Sequence, residues 1–531
     1  MSTQITTQKK VNPYIVAISI LLPAFMSMVA SSATNVCQPH IAGYFGATPY
    51  EANSIITAYI ISGGIMLPVF GWWVNACGKK AVAYWSVSLF CLGCILCLLS
   101  KDLHMLILCR VVQGAAGGAL LPLAQAVLLE TFPPEKKGVA MGFFGFAAMF
   151  SPLFGPFVGG YLTDNYSWQW VFIMNIPVCL ISLVLIKFFI NDTAERTNTK
   201  HKLDIVGLFA IILGMGCMQI VLNKGEQFNW FDTYWIYWLT LISIVSFVFF
   251  YVWELEGKKP IVDVRVFKDR NFLIGTMISS FINIMLYGTL LLIPMFAQNI
   301  LGYSPFFAGV SVFPRAISCF IGLLVMGKIA DKVENRILTA IGLVIMGGSV
   351  FMFSRLNNTS SLESIILPNI ILGIGIAVTF VPVSALSFLT LSKTKLADAA
   401  GLHALFKNIV TAISTSAVST FVTRVSQVHQ NYLVAYLSGT NLNFHYKILL
   451  LKTKFMTYFA PYIAAKKANG YLYKQMLSQA KLCAFYDIFL LLALMCILAI
   501  PLILLFKMPR KKKITTTIRA YYRIFKHRGV I

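Results

Sequence analysis

The chain has 531 residues, of which 58% are hydrophobic and 12% charged, with a formal net charge of +24. A soluble domain carries about a quarter charged residues, so a single large soluble core is excluded, and long uncharged runs indicate a polytopic membrane protein. In a soluble protein such a cationic excess points to nucleic acid; here the cations sit mostly in short loops between apolar runs, where membrane topology accounts for them.

The first apolar segment begins near Pro13, after Lys9 and Lys10. Its start resembles a signal peptide, but a second apolar run follows instead of a soluble mature domain, so it reads as a membrane helix. At about 20 apolar residues per span, the chain holds spans at 14–36, 51–73, 81–99, 104–130, 138–161 and 168–190. After a polar linker come 204–222 and 235–253, and after a second linker 271–297, 306–328, 336–354, 363–390, 400–423 and 483–506. The expected fold is an all-α polytopic membrane protein of about fourteen spans. It divides into a short N-terminus (1–12), a six-helix half (13–190), an inserted helix pair with linkers (191–270), a second six-helix half (271–506) and a basic tail (507–531).

The eleven cysteines fall mostly inside apolar spans. Cys91, Cys94 and Cys97 form CLGCILC, which mimics iron–sulfur spacing, but the run is flanked by apolar residues and lacks acidic or prolyl context. It reads as ordinary membrane-helix cysteine, with no metal or cofactor.

Loop charges set the orientation. Lys9/Lys10, Lys79/Lys80, Lys136/Lys137, Arg196 to Lys202, Lys258 to Arg270, Lys328 to Arg336, Lys393/Lys395 and Arg510 to Lys513 fall on alternate loops. By the positive-inside rule these loops and both termini are cytoplasmic. One segment breaks the pattern. The loop at 424–482, and the chain from Arg424 to Tyr486 more widely, is cationic, lacks Asp and Glu, and lies outside; long loops cross regardless of charge. Within it, Tyr446 to Ala464 reads as an interfacial amphipathic helix, broken by Pro461. Two readings are open: a solvated loop, or a platform for a partner, an anionic lipid or an acidic solute.

An internal repeat supports two halves. GWWVNACGKK (Gly71 to Lys80) follows the second span and GKIADKVENR (Gly327 to Arg336) the tenth. Both place a glycine at the helix end, a polar residue four later (Asn75, Asp331) and basic residues beyond, an organisation common in secondary transporters. The fifth span, GFAAMFSPLFGPFVGGYLTD, carries Gly145, Pro152, Gly155, Pro156, Gly159 and Gly160. Proline removes a backbone donor and kinks a helix, and Gly155 and Gly159, four apart on one face, let a neighbour approach closely. That suits a helix which packs tightly and pivots; a tolerated kink is the blander reading.

Polar residues inside spans mark pathways by default. Arg110 lies in LILCRVVQGAAGG, with Gln113 one turn on and on the same face. It either faces an interior cavity or, about seven residues inside the boundary, snorkels to water. Other candidates for the cavity are Asn35, Gln38, Asn283, Tyr287 and Gln298, with His403 and Lys407 on the thirteenth span. Glu130 and Asp487 are the acidic candidates; Glu130 equally suits an interfacial pair with lysine, and His40 reads as ordinary. There is no Walker A loop, no G-x-S-x-G and no H-E-x-x-H. An enzyme is not expected, and an ion gradient is the remaining energy source.

These stretches resemble the major facilitator superfamily, in its fourteen-span drug:proton antiporter branch of EmrB/QacA-like exporters. LILCRVVQGAAGG is similar to the fourth-helix motif with its basic residue, SPLFGPFVGGYLTD to the fifth-helix antiporter motif, and GWWVNACGKK to the loop motif between helices two and three, with Gly71, Gly78, Lys79 and Lys80 in place. Leu203 to Phe231, Pro260 to Gly275 and GYSPFFAGVSVFPR (Gly302 to Arg315) point to the EmrB-like members. The resemblance implies proton-coupled efflux of amphipathic drugs or toxic compounds, with a periplasmic adaptor and an outer-membrane channel as partners. Arg110 would tune the proton site or close the outer side, and the fifth helix would pack against the partner half. Two departures matter. Ala30 stands where the family usually has an acidic residue, which leaves the proton carrier unnamed, with Glu130 and Asp487 as fallbacks. Asn75 stands where an acidic residue is common, so it can hydrogen-bond but not ion-pair. The alternatives are a dedicated exporter of one endogenous metabolite, such as a siderophore or an anionic lipid-like molecule, and, more remotely, a non-transporting scaffold or receptor.

Overall fold

The computed structural model describes residues 12–47, 49–133, 136–190, 204–256, 264–303, 305–330, 332–392, 395–437 and 441–507. The first eleven residues, Asp331 and the tail from 508 lie outside the described residues. Among the described residues there is no strand.

The first group of helices comprises α1 (Pro13–Phe45), α2 (Pro49–Cys77), α3 (Lys79–Leu98), α4 (Leu103–Thr131), α5 (Lys137–Asn165), α6 (Trp170–Ile173) and α7 (Asn175–Phe189). Local chemistry sets their ends. The Asn12 side chain accepts from the Tyr14 amide, Pro13 occupies the first turn of α1, and Gly46 at φ 61° stops it. Asp102 starts α4 by accepting from the Met105 amide at 2.7 Å. Between α2 and α3 the turn is made by Gly78 at φ 85°, a backbone that side chains disfavour.

Next come α8 (Ile205–Lys224) and α9 (Tyr234–Glu256), which pack on each other. The last group comprises α10 (Arg270–Asn299), α11 (Pro305–Ile329), α12 (Asn335–Phe353), α13 (Leu362–Ser387), α14 (Leu396–Val434), α15 (Leu442–Met456) and α16 (Pro461–Ala499). Helix pairing repeats between the groups. The pairs α1–α5, α2–α4 and α3–α4 in the first correspond to α10–α14, α11–α13 and α12–α13 in the last. The two groups meet along α5–α11 and α2–α14, and α8 packs against both α2 and α14.

Twelve described helices are individually long and apolar enough to cross a membrane. Two more spans are bent: α2 by 56° between Leu67 and Val69, and α5 by 43° between Pro152 and Phe154. Counting each bent pair as one span gives the expected fourteen. The α5 bend falls where Pro152 and Pro156 remove two backbone donors.

The cationic segment after Arg424 departs from the expected loop with a separate interfacial helix. Here α14 and α16 each run for 39 residues. Each is about 58 Å long, roughly twice the hydrocarbon thickness. Their surplus turns pack together and form a helical hairpin with α15 against α16. Tyr446 to Ala464 is therefore not one helix: α15 stops at Met456 and Pro461 opens α16 in its first turn. Proline is tolerated there because that amide has no intrahelical partner anyway. Ala464, Ala468, Leu472, Met476 and Ala480 are buried, every fourth residue, so they form one seam. The lysines lie off that seam, which is how a continuous helix accommodates them.

Within the first group, Gly155 and Gly159 lie against Ser32 and Ala33 of α1. A methyl group at residue 159 would sit 2.7 Å from the Ala33 carbonyl oxygen, whereas one at 160 first meets Val36 at 3.8 Å. Gly159→Ala should therefore cost about 1–3 kcal/mol by overpacking. In thermal unfolding of the detergent-solubilised protein, Gly159→Ala is expected to lower Tm and Gly160→Ala to leave it near wild type; equal effects would remove the close-approach account.

Candidate functional site

A cavity of about 870 Å³ lies between the two groups of helices. Its walls are mainly apolar, with Phe144, Met149, Leu290, Leu291 and Phe313 among them. Polar side chains interrupt that wall, including Asn35, Gln125, Asn223, Asn283 and Tyr287. A mostly apolar pocket with a few placed polar groups is the usual form of a small-molecule site. Along α14 the cavity runs from His403 to Ser419.

The end carrying the short basic loops is closed. There Asn75 donates to Asp398 Oδ1 at 3.0 Å, bringing α2 against α14. Gly71 makes room for Asp398, and Gly401 lies against the Leu67 carbonyl. On the other seam Gly142 approaches the Leu323 carbonyl, and Gly327 lies beside Val139. Lys79 and Glu130 form an ion pair at this end, and Lys80 donates to the Lys187 carbonyl at 2.9 Å. The substituted Asn75 thus still links two helices, by a hydrogen bond.

Sequence reasoning placed Arg110 and Gln113 at a cavity or at the water boundary; they lie at neither. Arg110 is 0% exposed. It is held between α2, α3 and α4, donating from Nη1 to Gln113 and from Nε to the Ile55 carbonyl at 3.5 Å. Its guanidinium lies 4.2 Å from the centroid of Tyr59. Tyr59 lines the cavity and donates to the Ser27 carbonyl, so Arg110 stands one layer behind the wall.

Of the expected cavity residues, Asn35, Asn283 and Tyr287 line it, as do His403 and Lys407, while Gln38 and Gln298 do not; Gln298 is exposed. Glu130 sits in its pair with Lys79, and Asp487 meets His429 at 2.7 Å near the foot of the hairpin. Neither acid lines the cavity. On α5, Pro152 and Pro156 line it, Gly155 and Gly159 face α1, and Gly160 lies near Val36. On the basic-loop half of α5, Gly145 meets Leu323 and Phe380 of the other group, and beyond the bend Phe157 meets Phe313 of α11. The fifth helix does pack on the other group, against α11 and α13, while its Gly155–Gly159 face lies against α1 of its own half.

Three features escaped the sequence reading. Arg315 is 0% exposed; it donates to Thr289 at 2.6 Å, and two of its nitrogens have no described partner. Its position deep in an apolar run was the same signal used for Arg110. The inserted helix α8 lines the cavity with Gln219 and Asn223, and Gln219 donates to Asn408 of α14 at 3.1 Å. Two amides four apart in an apolar helix were the available signal. Finally, Glu226 lies at the cavity edge, accepting from Trp230 at 2.9 Å and meeting Arg424 at 3.5 Å.

Residues 20–415 match the Major Facilitator Superfamily. The probable multidrug resistance protein EmrY of Escherichia coli (strain K12) is 31% identical over 427 residues, covering 80% of this chain and 83% of EmrY. The multidrug export protein EmrB of the same organism is 29% identical over 477 residues, 90% of this chain and 91% of EmrB. The fatty acid resistance protein FarB of Neisseria gonorrhoeae is 27% identical over 430 residues, 81% and 85% of the two chains. The human organic anion transporter MFSD10 (TETRAN) shares the fold alone, with a TM-score of 0.57 at 12% identity over 92% of this chain and 99% of its own. With a match over most of its length and the same helix pairing in both groups, this polytopic membrane protein belongs to the Major Facilitator Superfamily, a family of transporters and not of enzymes.

Proposed function

We propose that the chain exports amphipathic organic compounds across a bacterial inner membrane, by alternating access coupled to proton entry. The observation that carries this is the cavity between the halves, sealed by Asn75–Asp398 at the basic-loop end and extending toward the hairpin end. The names of EmrY, EmrB and FarB, as resistance or export proteins, support the direction. The positive-inside rule puts the basic loops and both termini in the cytoplasm. The sealed end then faces inward, the cavity faces outward, and the structure corresponds to a releasing state.

In this scheme the halves 13–190 and 271–506 move about the cavity, and α8 of the inserted pair 191–270, packed against α2 and α14 in this state, travels with α2. Substrate and proton each favour a different state, so each drives the other's crossing. The apolar wall takes the substrate's body and the scattered amides orient it. Arg110 fixes Tyr59 from behind, so its role is to hold the wall's shape and charge. Glu130 and Asp487 stand outside the cavity. Proton exchange within the cavity therefore falls to Glu226 or His403, the acid at its edge and the imidazole in its wall.

The hairpin is the proposed contact for a periplasmic adaptor leading to an outer-membrane channel. From Arg424 to Tyr486 it carries eight lysines and arginines and no Asp or Glu. It also exposes Tyr446, Tyr458 and Tyr462 near its tip. An acidic, aromatic-binding partner surface fits that composition.

Everted vesicles test the export reading. An acid-inside gradient is expected to drive accumulation of an amphipathic dye, and an uncoupler to abolish it; accumulation indifferent to the uncoupler would overturn proton coupling. In the same vesicles Arg110→Ala should slow the initial rate about tenfold or more, at least about 1.4 kcal/mol of barrier. Arg110→Lys should retain more, at equal amounts of membrane protein. An unchanged rate for Arg110→Ala would remove the argument from the buried charge. For the adaptor, replacing Lys447, Lys452 and Lys454 with Glu is expected to abolish resistance of intact cells while vesicle transport persists. Intact resistance would exclude the hairpin as the docking surface.

A further inference from the structure

We propose that Lys407 is the anchor for the negatively charged head of the substrate, so that the transported class is amphipathic organic anions, carboxylates foremost. This rests on the export function proposed above. Lys407 lies on α14 and lines the cavity. No acidic side chain among the described residues pairs with it. Its ammonium instead lies 5.3 Å from the ring centroid of Phe380 and 6.0 Å from that of Phe144.

The charge balance of the cavity points one way. Its described lining holds Lys407, His403 and a single carboxylate, Glu226. That carboxylate is already engaged by Arg424 and Trp230. An amphipathic cation entering here meets a like charge and finds no free acid. An amphipathic anion meets an uncompensated ammonium in a largely apolar chamber, where a charge-assisted hydrogen bond is strong. The same ligand supplies the counter-ion that this half-buried ammonium lacks. Asn408 adjoins Lys407 on α14 and bonds to Gln219 of α8, so amide groups already flank the place where the head would sit. The apolar wall formed by Leu290, Leu291 and Phe313 is then available to the tail.

The rings beneath the ammonium add a consequence. Phe144 belongs to α5 and Phe380 to α13, and the two stack across the seam between the halves at 6.1 Å. Lys407 of α14 rests on rings from both halves. A carboxylate that draws the ammonium into the cavity removes a cation–π contact across that seam. Binding of the head is thereby linked to loosening at the basic-loop end.

The test uses the full-length protein in nanodiscs and three fluorescent probes with one tail: dansylaminoundecanoic acid, its methyl ester, and the matching amine. The wild type is expected to bind the acid about tenfold or more tightly than the ester, and the amine least. Lys407→Gln should lose that preference while still binding the ester, which reports an intact cavity, and Lys407→Arg should keep it. Equal affinities for acid and amine in the wild type, or an acid preference that survives Lys407→Gln, overturn the proposal. Transport of the same probes in proteoliposomes separates it from the export reading. Movement of the ester or amine with exclusion of the acid overturns the anion proposal and leaves export standing. Lys407-dependent acid binding without movement of any probe supports the site and removes export.

Discussion

A charge inside a bilayer must be answered by protein, and this molecule answers three cations without a single described carboxylate in contact. Arg110 and Arg315 are enclosed by amide, hydroxyl and carbonyl oxygens. Each sits where the repeat would place it: Arg110 at the α2–α4 pair, Arg315 at the matching α11–α13 pair. They come from opposite members of those pairs, on α4 and on α11. The halves thus reach a similar internal charge by different residues. Lys407 is handled differently, because it faces the cavity and rests on aromatic rings. The enclosed arginines serve the architecture of each half. The cavity lysine is the one whose compensation is left to a ligand.

Close backbone approach separates what moves together from what moves apart. Gly155 and Gly159 lock α5 to α1, and Gly114 and Gly118 lock α4 to Tyr59 and Gly63 of α2. Those contacts lie within one half, and in lipid such packing replaces the hydrophobic drive that water supplies. Gly142 and Gly145, nearer the basic-loop end of the same α5, touch the other half instead. Between the two glycine groups lies the 43° bend. The glycine contacts of this helix thus bind it to its own half beyond the bend and to the other half before it, while its phenylalanines reach α11 on both sides of the bend.

The spans, their number and the two-half repeat were legible in the sequence because hydropathy and loop charge are one-dimensional signals. Rotation about each helix axis was not. In a soluble helix the apolar stripe faces the core, but here lipid and core are both apolar, so the pattern carries little phase. Asn35 and Gln38 show the result: three residues apart on α1, one lines the cavity and the other does not. Gln298, chosen on the same ground as Asn283, emerges exposed at the end of α10. The hairpin was misread for a related reason. Lysines interrupt hydropathy, yet Ala464 to Ala480 keep a buried seam at every fourth residue, a helical signal independent of mean apolarity. Arg315 stands in an apolar run as Arg110 does and carries the same signal of an intramembrane charge.

The inserted helices show how far one hydrogen bond can change the reading of a segment. By sequence they are a spacer between halves. In the structure Gln219 of α8 bonds Asn408 of α14, and Gly64 of α2 lies against Met215 of α8 and Asn408 together. Three helices from three parts of the chain meet at that point. The other seam, α5–α11, is filled by aromatic contacts, Phe146 and Phe150 with Phe320 and Phe157 with Phe313. The α2–α14 seam has α8 against it, and α8 supplies polar groups to the cavity beside Lys407. The insertion is thus a wall of the chamber. Any rearrangement that parts α2 from α14 must either break the Gln219–Asn408 bond or carry α8 away with one half. Since α8 touches α2 more extensively than α14, it is held to the first half, and the amide pair is the contact that yields.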